Sequence, residues 1–461
     1  MKKTFAIILS IVLLVVFCLF GFASCKDEPR EVSKYVSHSF TMKKGQPFRI
    51  LQLTDLHFVN SPKSNADIAR SYDLRDDWAM TAVTDVINEA KPDLIVVTGD
   101  STFTVKNIEL LTGTIDNYEA FEKFALFLDS FKIPWLFIFG NHDEEGSLAE
   151  SSDEEGKVLG AEGAKRVLGD LLQSDELKYC LYEHGPEEIN GLGNYIVNVL
   201  NPDGSVNQSL VMFDSGSYID YREVKGVGKG YYDQRQYEYV HDDQLAWYET
   251  AIRDISRIEG SLVSSIVFQH IPFPTYKTVV DTYTATLHAM GENWHDTIKV
   301  NGTARTLQTA IGEITYHGGV YNEGIVYDEK LGYDVGEVCC SFVGTIEDND
   351  VKRKYDGGHE FQKLLELGST KYVFCGHDHR NTFSFTYQGI RMTYGMSIDY
   401  SANGIVPTVF KDNQKIYTEL EQRGGTLITL NEGSREADIR QIPFTRDLYD
   451  EAVKAKAAAK K

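Results

Sequence analysis

Between residues 48 and 139, apolar strand patterns alternate with amphipathic helical patterns. Residues 48–54, 94–97 and 135–139 are short apolar or β-branched runs, which predict strands. Residues 76–90 and 116–130 carry apolar side chains at helical spacing, which predicts helices. This alternation favours a layered α/β sheet, in which polar residues collect where strands end and loops begin.

The rest of the chain predicts a single large domain rather than several. Further strands are predicted over 194–200, 209–213, 262–268 and 371–375, and helices over 241–257 and 358–367. From residue 272 to about 345 the periodicity is lost, and we interpret this stretch as an insertion over one face. The predicted organisation is a signal segment 1–24, a linker 25–46, one domain 47–432 containing the insertion, and a C-terminal extension 433–461.

The first residues have the layout of an export signal. Lys2 and Lys3 precede an apolar run over 5–22, and the small residues Ala23 and Ser24 precede Cys25. This arrangement resembles the lipidation signal of bacterial lipoproteins, which predicts a cell-surface or periplasmic lipoprotein attached to the membrane through its N-terminus. An uncleaved membrane anchor and ordinary secretion with an incidental Cys25 remain alternatives. All three place the folded part outside the cytoplasm.

The charge of the chain excludes one class of partner. The sequence has 46 basic and 68 acidic residues, for a net charge of −22. Affinity for nucleic acid rests largely on clustered Lys and Arg, so we expect no nucleic-acid partner. A small anionic substrate remains possible where local cations or metal ions reverse the field inside a site.

Polar side chains follow five predicted strands directly. Each segment alone is more often structural, but all lie at the ends of strands that we expect in one sheet. Imidazole, carboxylate and amide groups are ligands for Zn, Fe and Mn, so their convergence predicts a metal site. The segments are Asp55-Leu56-His57, Gly99-Asp100, Gly140-Asn141-His142-Asp143, His270 and Gly376-His377-Asp378-His379.

The order of these segments resembles that of the calcineurin-like metallophosphoesterases over roughly 48–395. The resemblance implies an α/β (α+β) fold with two packed mixed β-sheets flanked by helices, a four-layer sandwich with two metal ions at the strand ends. The residues of these motifs are most similar to those of the purple-acid-phosphatase-like branch. Purple acid phosphatases themselves carry a tyrosine ligand to ferric iron where this chain has Phe103, so the resemblance is to the branch that lacks this ligand. Phenylalanine cannot ligate, so the resemblance implies a colourless site with two divalent ions, Fe, Mn or Zn.

The resemblance also assigns roles. One metal ion would be held by Asp55, His57, Asp100 and His379. The second would share Asp100 and add Asn141, His270 and His377.

His142 and Asp143 are the implied catalytic residues. By the resemblance, His142 points at the phosphate and Asp143 orients its ring. The expected function is hydrolysis of phosphomonoesters by a metal-bridging hydroxide, with a phosphorylated small molecule or other phosphoester as substrate. A phosphodiesterase on the same metal core and a non-catalytic surface-binding lipoprotein are the alternatives.

Overall fold

A computed structural model of the chain describes most residues from 31 to 458. Between 31 and 448 it leaves out 60–71, 104–113, 115–116, 153–155, 220–235, 293, 295–303, 320–324, 337, 349–350, 402–409, 412–413 and 416–422, and beyond 448 it describes only 451, 454–455 and 458. The predicted signal segment 1–24 and Cys25 lie outside the described residues. Within the described ranges, no helix is long and apolar enough to span a bilayer.

Strands and helices follow one another in the following order. The strands are β1 (Val36–Thr41), β2 (Phe48–Leu53), β3 (Leu94–Thr98), β4 (Trp135–Ile138), β5 (Tyr195–Leu200), β6 (Val206–Met212), β7 (Ser265–Phe268), β8 (Arg305–Thr309), β9 (Gly312–Tyr316), β10 (Ile325–Asp328), β11 (Tyr333–Gly336), β12 (Val343–Asp348), β13 (Val351–Asp356), β14 (Thr370–Cys375), β15 (Ser384–Tyr387), β16 (Ile390–Tyr394), β17 (Phe410–Lys411), β18 (Gln414–Lys415), β19 (Gly424–Leu430) and β20 (Ala437–Pro443). The helices are α1 (Tyr72–Ala90), α2 (Asn117–Asp129), α3 (Ser147–Glu150), α4 (Gly160–Leu172), α5 (Asp242–Glu259), α6 (Thr275–Ala289) and α7 (His359–Leu367).

Two mixed sheets carry the fold. The larger sheet has the order β1-β5-β6-β7-β14-β16-β15-β9-β8 and the smaller one the order β20-β19-β2-β3-β4. Strands β2, β3 and β4 are parallel, as are β6, β7, β14 and β16, whereas β19 is antiparallel to both of its neighbours. Three two-stranded hairpins, β10-β11, β12-β13 and β17-β18, complete the described strands.

Alternation along the strands of the larger sheet separates two hydrophobic clusters. Ile266 and Phe268 of β7 pack between the sheets, while Val267 belongs to the cluster under helices α5 and α6. The smaller sheet is covered on its other face by α1 and α2, whose Val83 and Phe124 are fully buried. The layers therefore run helix, sheet, sheet, helix, and the predicted fold class is confirmed.

The stretch predicted as an aperiodic insertion contains regular structure. Within residues 272–345, helix α6 packs under the larger sheet, and strands β8 and β9 form one edge of that sheet. Helix α6 buries residues at helical spacing, including Tyr276, Val280 and Tyr283. The helix is rich in Thr, Val and Tyr, which have low intrinsic helix propensity, and this composition obscured the pattern.

The domain also extends past both of its predicted ends. Strand β1, inside the predicted linker 25–46, pairs in parallel with β5. Strand β20, inside the predicted extension 433–461, pairs with β19 over its whole length. Both are edge strands, whose half-exposed residues give a weaker apolar signal than central strands.

Candidate metal centre

The polar segments lie together at the carboxyl ends of five strands. The sequence predicted that these five strands lie in one sheet, and this prediction is wrong. Strands β2, β3 and β4 belong to the smaller sheet, and β7 and β14 belong to the larger one. The carboxyl ends of parallel strands meet at one edge of a sheet, and here the edges of two packed sheets adjoin. The site therefore forms where the two sheets meet.

The backbone at this edge is strained. Asp55, His57, Asp100 and His377 all have left-handed φ angles, of 51°, 53°, 51° and 74°. Non-glycine residues adopt this region at a cost of roughly 1–3 kcal/mol each, and such residues cluster at functional sites. The turns after the strands thus aim the predicted ligands inward at the expense of local stability.

Two glycines allow the loops after β3 and β4 to touch. A Cβ atom on Gly99, whose φ is 86°, would collide with the backbone of Gly140. A Cβ atom on Gly140 would collide with the backbone nitrogen and the carboxylate of Asp100. Both positions therefore require glycine for Asp100 and Asn141 to approach each other.

Four predicted ligands form a first buried group. The side chains of Asp55, His57, Asp100 and His379 offer ligand atoms within 4.8 Å of one another. Nε2 of His379 lies 3.1 Å from Oδ1 of Asp55 and 3.1 Å from Nε2 of His57. Nε2 of His57 lies 3.8 Å from Oδ2 of Asp100. This is the set that the resemblance assigned to the first metal ion.

A second group shares Asp100. Its other members, His270 and His377, offer ligand atoms that lie within 4.8 Å of each other and of the Asp100 carboxylate. Nε2 of His270 is 3.3 Å from Oδ2 of Asp100 and 3.1 Å from Oδ1 of Asn141. The structure thus brings all seven predicted ligands together, with the Asp100 carboxylate between the two groups.

Several buried atoms in these groups have no hydrogen-bond partner among the described residues. They are Nδ1 of His57 and both ring nitrogens of His377. Unsatisfied buried polar atoms of this kind are costly and call for a bound partner. Because the available ligand atoms belong to carboxylate, imidazole and amide groups, these residues fit divalent metal ions.

Burial and charge interactions together favour the ligand forms of Asp100, His57 and His377. Burial would raise the pKa of Asp100, but His270 and His142 hold it well below its ordinary value. Burial lowers the pKa of His57 to about 4, and burial followed by repulsion from His270 lowers that of His377 to about 3. Burial opposes protonation of His270, but Asp100 raises its pKa to about 9. An anionic Asp100 beside neutral His57 and His377 is the state in which these groups bind metal, and His270 would release a proton on binding.

The ligands are themselves held by partners that the sequence did not single out. Asp399 Oδ2 lies 3.0 Å from Nδ1 of His379, and the backbone carbonyl of Thr98 lies 2.8 Å from Nδ1 of His270. In both rings a proton on Nδ1 leaves Nε2 free to ligate. Tyr218 accepts a 2.8 Å hydrogen bond from Nδ2 of Asn141, which turns the amide oxygen toward His270.

The partner of His142 is Glu145, and the orienting role predicted for Asp143 is wrong. Nδ1 of His142 lies 3.0 Å from Oε2 of Glu145. Asp143 is buried and instead accepts hydrogen bonds from the backbone nitrogens of Ser101, Thr102 and Gly140. Asp143 does not orient the His142 ring because its side chain points toward the loop after β3. There it holds that loop against the loop after β4.

Phe103 lies beside the site, as the sequence predicted. Its ring centroid is 5.4 Å from that of His57 and 5.5 Å from that of His142, and the residue is buried. It therefore forms an apolar wall next to the first group and next to His142.

Comparisons with known proteins show which family the chain is similar to. A sequence model of the family described as calcineurin-like phosphoesterase matches residues 48–381. An Arabidopsis thaliana protein named "Probable inactive purple acid phosphatase 29" is 24% identical over 380 residues, which cover 77% of this chain and 73% of that protein. A Saccharomyces cerevisiae protein named as a phosphatase is 27% identical over 238 residues, covering 50% of this chain and 36% of its own length. Among solved structures, a dimetal phosphatase from Danio rerio covers 87% of this chain and 100% of its own, with 12% identity and a TM-score of 0.43.

Proposed function

The chain belongs to the calcineurin-like phosphoesterase family, and from that premise we propose that it is an exported hydrolase of phosphomonoesters that uses two divalent metal ions. The observation that carries the proposal is the pair of buried ligand groups that share Asp100, with His142 beside them. A structural role alone would not require His142, which belongs to neither group.

Asp55, His57, Asp100 and His379 would hold one ion, and Asp100, Asn141, His270 and His377 the other. Divalent ions bound there supply positive charge toward a phosphate and lower the pKa of a coordinated water. The protein's own contribution is to fix the ligands, exclude bulk water and place a proton donor.

His142 is the proposed proton donor or charge stabiliser. Its backbone nitrogen donates a 2.8 Å hydrogen bond to Oδ1 of Asp100, which ties its position to the shared ligand. The contact of Nδ1 with Glu145 fixes the ring and favours a proton on Nδ1 or on both nitrogens. The ring is 5.4 Å, centroid to centroid, from that of His57, so it borders the first ligand group.

The names of the relatives point in two directions, since the Arabidopsis thaliana protein is called a probable inactive purple acid phosphatase and the Saccharomyces cerevisiae protein a phosphatase. The residues of this chain favour activity, because the family's ligand set is complete here and the buried carboxylate is shared by both groups. A non-catalytic binding protein is therefore the rival to be tested.

Parallel assays of p-nitrophenyl phosphate and bis-p-nitrophenyl phosphate, with Mn, Zn or Fe, separate the candidates. We expect clear preference for the monoester. Preference for the diester would replace the proposed substrate class by phosphodiesters, and turnover of neither by the metal-loaded protein would favour the binding protein.

The variant His142→Ala tests the assigned role. We expect it to keep its metal ions and to lose about 10²-fold or more in turnover. His184→Ala, at a half-buried histidine that contacts Asp170 away from the centre, is the matched control and should retain full turnover. Wild-type turnover in His142→Ala would remove His142 from the mechanism.

Export is proposed from the N-terminal layout, with Cys25 as the lipidated residue. Fractionation of cells that express the full chain should recover it with the membranes, and Cys25→Ser should release it or leave its signal uncleaved. Recovery of the wild-type chain from the cytoplasm would refute this part of the proposal.

A further inference from the structure

The face that the larger sheet turns toward β20 becomes polar at strands β15 and β16. Ile390, Met392 and Tyr394 of β16 pack in the cluster under helix α6. The intervening Arg391 and Thr393 face the opposite side, as alternation along a strand requires. At that side lies a partly open cavity of about 450 Å³, lined by Ser384, Arg391 and Thr393 of the larger sheet and by Ile439, Gln441 and Pro443 of β20.

Arg391 is half-buried and lines this cavity, and Asp438 attracts it without an ion pair at contact distance. Its Nε donates a 2.8 Å hydrogen bond to Oγ of Ser384, which also contacts the Thr393 hydroxyl at 2.8 Å. No other hydrogen bond or ion pair of this guanidinium to the described residues is present. Burial accordingly lowers the pKa of Arg391 to about 10. A half-buried guanidinium with no carboxylate in contact keeps hydrogen-bond donors that an anion can accept.

The lining is positive in a strongly acidic chain. It includes Arg391 and Arg440 and no acidic residue, although the chain as a whole carries −22. Arg440 pairs with Glu89 at 3.0 Å, both of them more than half exposed, so this second cation is partly neutralised. Burial, followed by repulsion from Arg391, lowers the pKa of His317 to about 4, which makes that ring neutral near pH 7.

The cavity is separate from the metal centre. Arg391 lies opposite Tyr372 in the parallel pair of β14 and β16. Tyr372 lies three residues before the end of β14, where the loop that carries His377 and His379 begins, and none of the predicted metal ligands lines the cavity.

We propose that this cavity binds a small tetrahedral oxyanion, with inorganic phosphate as the probe, through the free guanidinium nitrogens of Arg391. Planar guanidinium groups bind phosphate oxygens in pairs, and the neighbouring Ser384 hydroxyl fixes the orientation of the arginine. The proposal does not depend on catalysis, because no predicted metal ligand lines the cavity.

Calorimetric titration of the full-length protein with phosphate tests the proposal. At constant ionic strength and with a chelator present, we expect one saturable site with a Kd of about 1 mM or tighter. Arg391→Gln should weaken it at least about tenfold, as expected for a lost hydrogen bond to a charged group. Arg253→Gln, at an exposed arginine that does not line the cavity, is the matched control and should leave the affinity unchanged. Equal binding by Arg391→Gln, or no saturable binding with the chelator, would overturn the proposal.

Two further measurements keep the test independent of any variant's folding and of the proposed enzyme activity. Anomalous density from arsenate in crystals of the wild-type protein should lie beside the Arg391 guanidinium, and its absence there would overturn the proposal. Sulfate should compete with phosphate, whereas competition by acetate alone would replace the tetrahedral oxyanion by a carboxylate and refute the assignment. If the protein binds phosphate in this cavity but hydrolyses no ester, the result would refute the proposed function and leave the proposed phosphate site intact.

Discussion

Replacing Lys165 by methionine should strongly destabilise the protein. Nζ of Lys165 lies 2.8 Å from Oε2 of Glu144 and 2.9 Å from both carboxylate oxygens of Asp214. Its side chain is 7% exposed and that of Asp214 is 0% exposed. At an effective dielectric constant of about 20, one such contact attracts by roughly 6 kcal/mol before desolvation is counted. Removing one partner of a buried ion group typically costs about 3–5 kcal/mol, because the other charges stay buried.

The loss in Lys165→Met should also depend on pH in a definite direction. Burial already raises the pKa of Glu144, and Lys165 is the main cause that opposes the shift. Without Lys165 the folded-state pKa rises further above the unfolded value. The folded variant then holds a proton that the unfolded chain has released, so its deficit should be smaller near pH 5 than near pH 8.

Urea unfolding of the full-length wild type and of Lys165→Met, followed by tryptophan fluorescence at both pH values, measures the difference in their free energies of unfolding. The control is Arg253→Met, which removes an exposed contact with Glu249 and should change the free energy of unfolding by no more than about 0.5 kcal/mol. A deficit for Lys165→Met below about 1 kcal/mol, or one that is equal at both pH values, would contradict the reasoning.

Two other predictions concern single carboxyl groups. Asp399→Asn should weaken metal binding about 10- to 100-fold in a chelator competition, because Asp399 fixes the ring of His379, while Asp170→Asn, at the exposed contact with His184, should leave it unchanged. Burial raises the pKa of Glu360 from 4.5 to about 8, so wild-type stability falls as pH rises through that interval. Glu360→Gln should therefore gain more stability over wild type near pH 8 than near pH 5 in thermal melts, and an equal or reversed gain would refute the assignment.

The convergence of the candidate metal ligands was predictable from the sequence because each follows a strand that is itself easy to recognise. Strand β3 is buried along its whole length, so its residues form an uninterrupted apolar run that ends at Gly99-Asp100. The carboxyl ends of such strands converge, which makes Asp100 and its counterparts neighbours in any layered arrangement. What the pattern did not reveal is that the strands divide between two sheets.

The supporting residues carry no comparable signal. Asp399 stands twenty residues after His379, beyond the end of β16, and a single aspartate in a loop has no distinguishing spacing. Glu145 follows two other acids, Asp143 and Glu144, and only the geometry of the loop decides which of the three reaches His142. Side-chain direction in irregular loops is set by tertiary contacts and cannot be derived from periodicity.

Helix α6 shows the same limit at the level of secondary structure. Its Thr and Tyr residues weaken both helix propensity and the apolar pattern, and burial under the larger sheet stabilises it instead. Tertiary packing therefore determined an element that local sequence did not indicate.

Elemental analysis of the reconstituted full-length protein determines whether Asp100 joins two ligand groups that each hold a metal ion. We expect two ions per chain in the wild type and loss of both sites in Asp100→Asn, with the folded structure retained by circular dichroism. One ion or none in the wild type, or two ions retained by Asp100→Asn, would refute a shared role for Asp100.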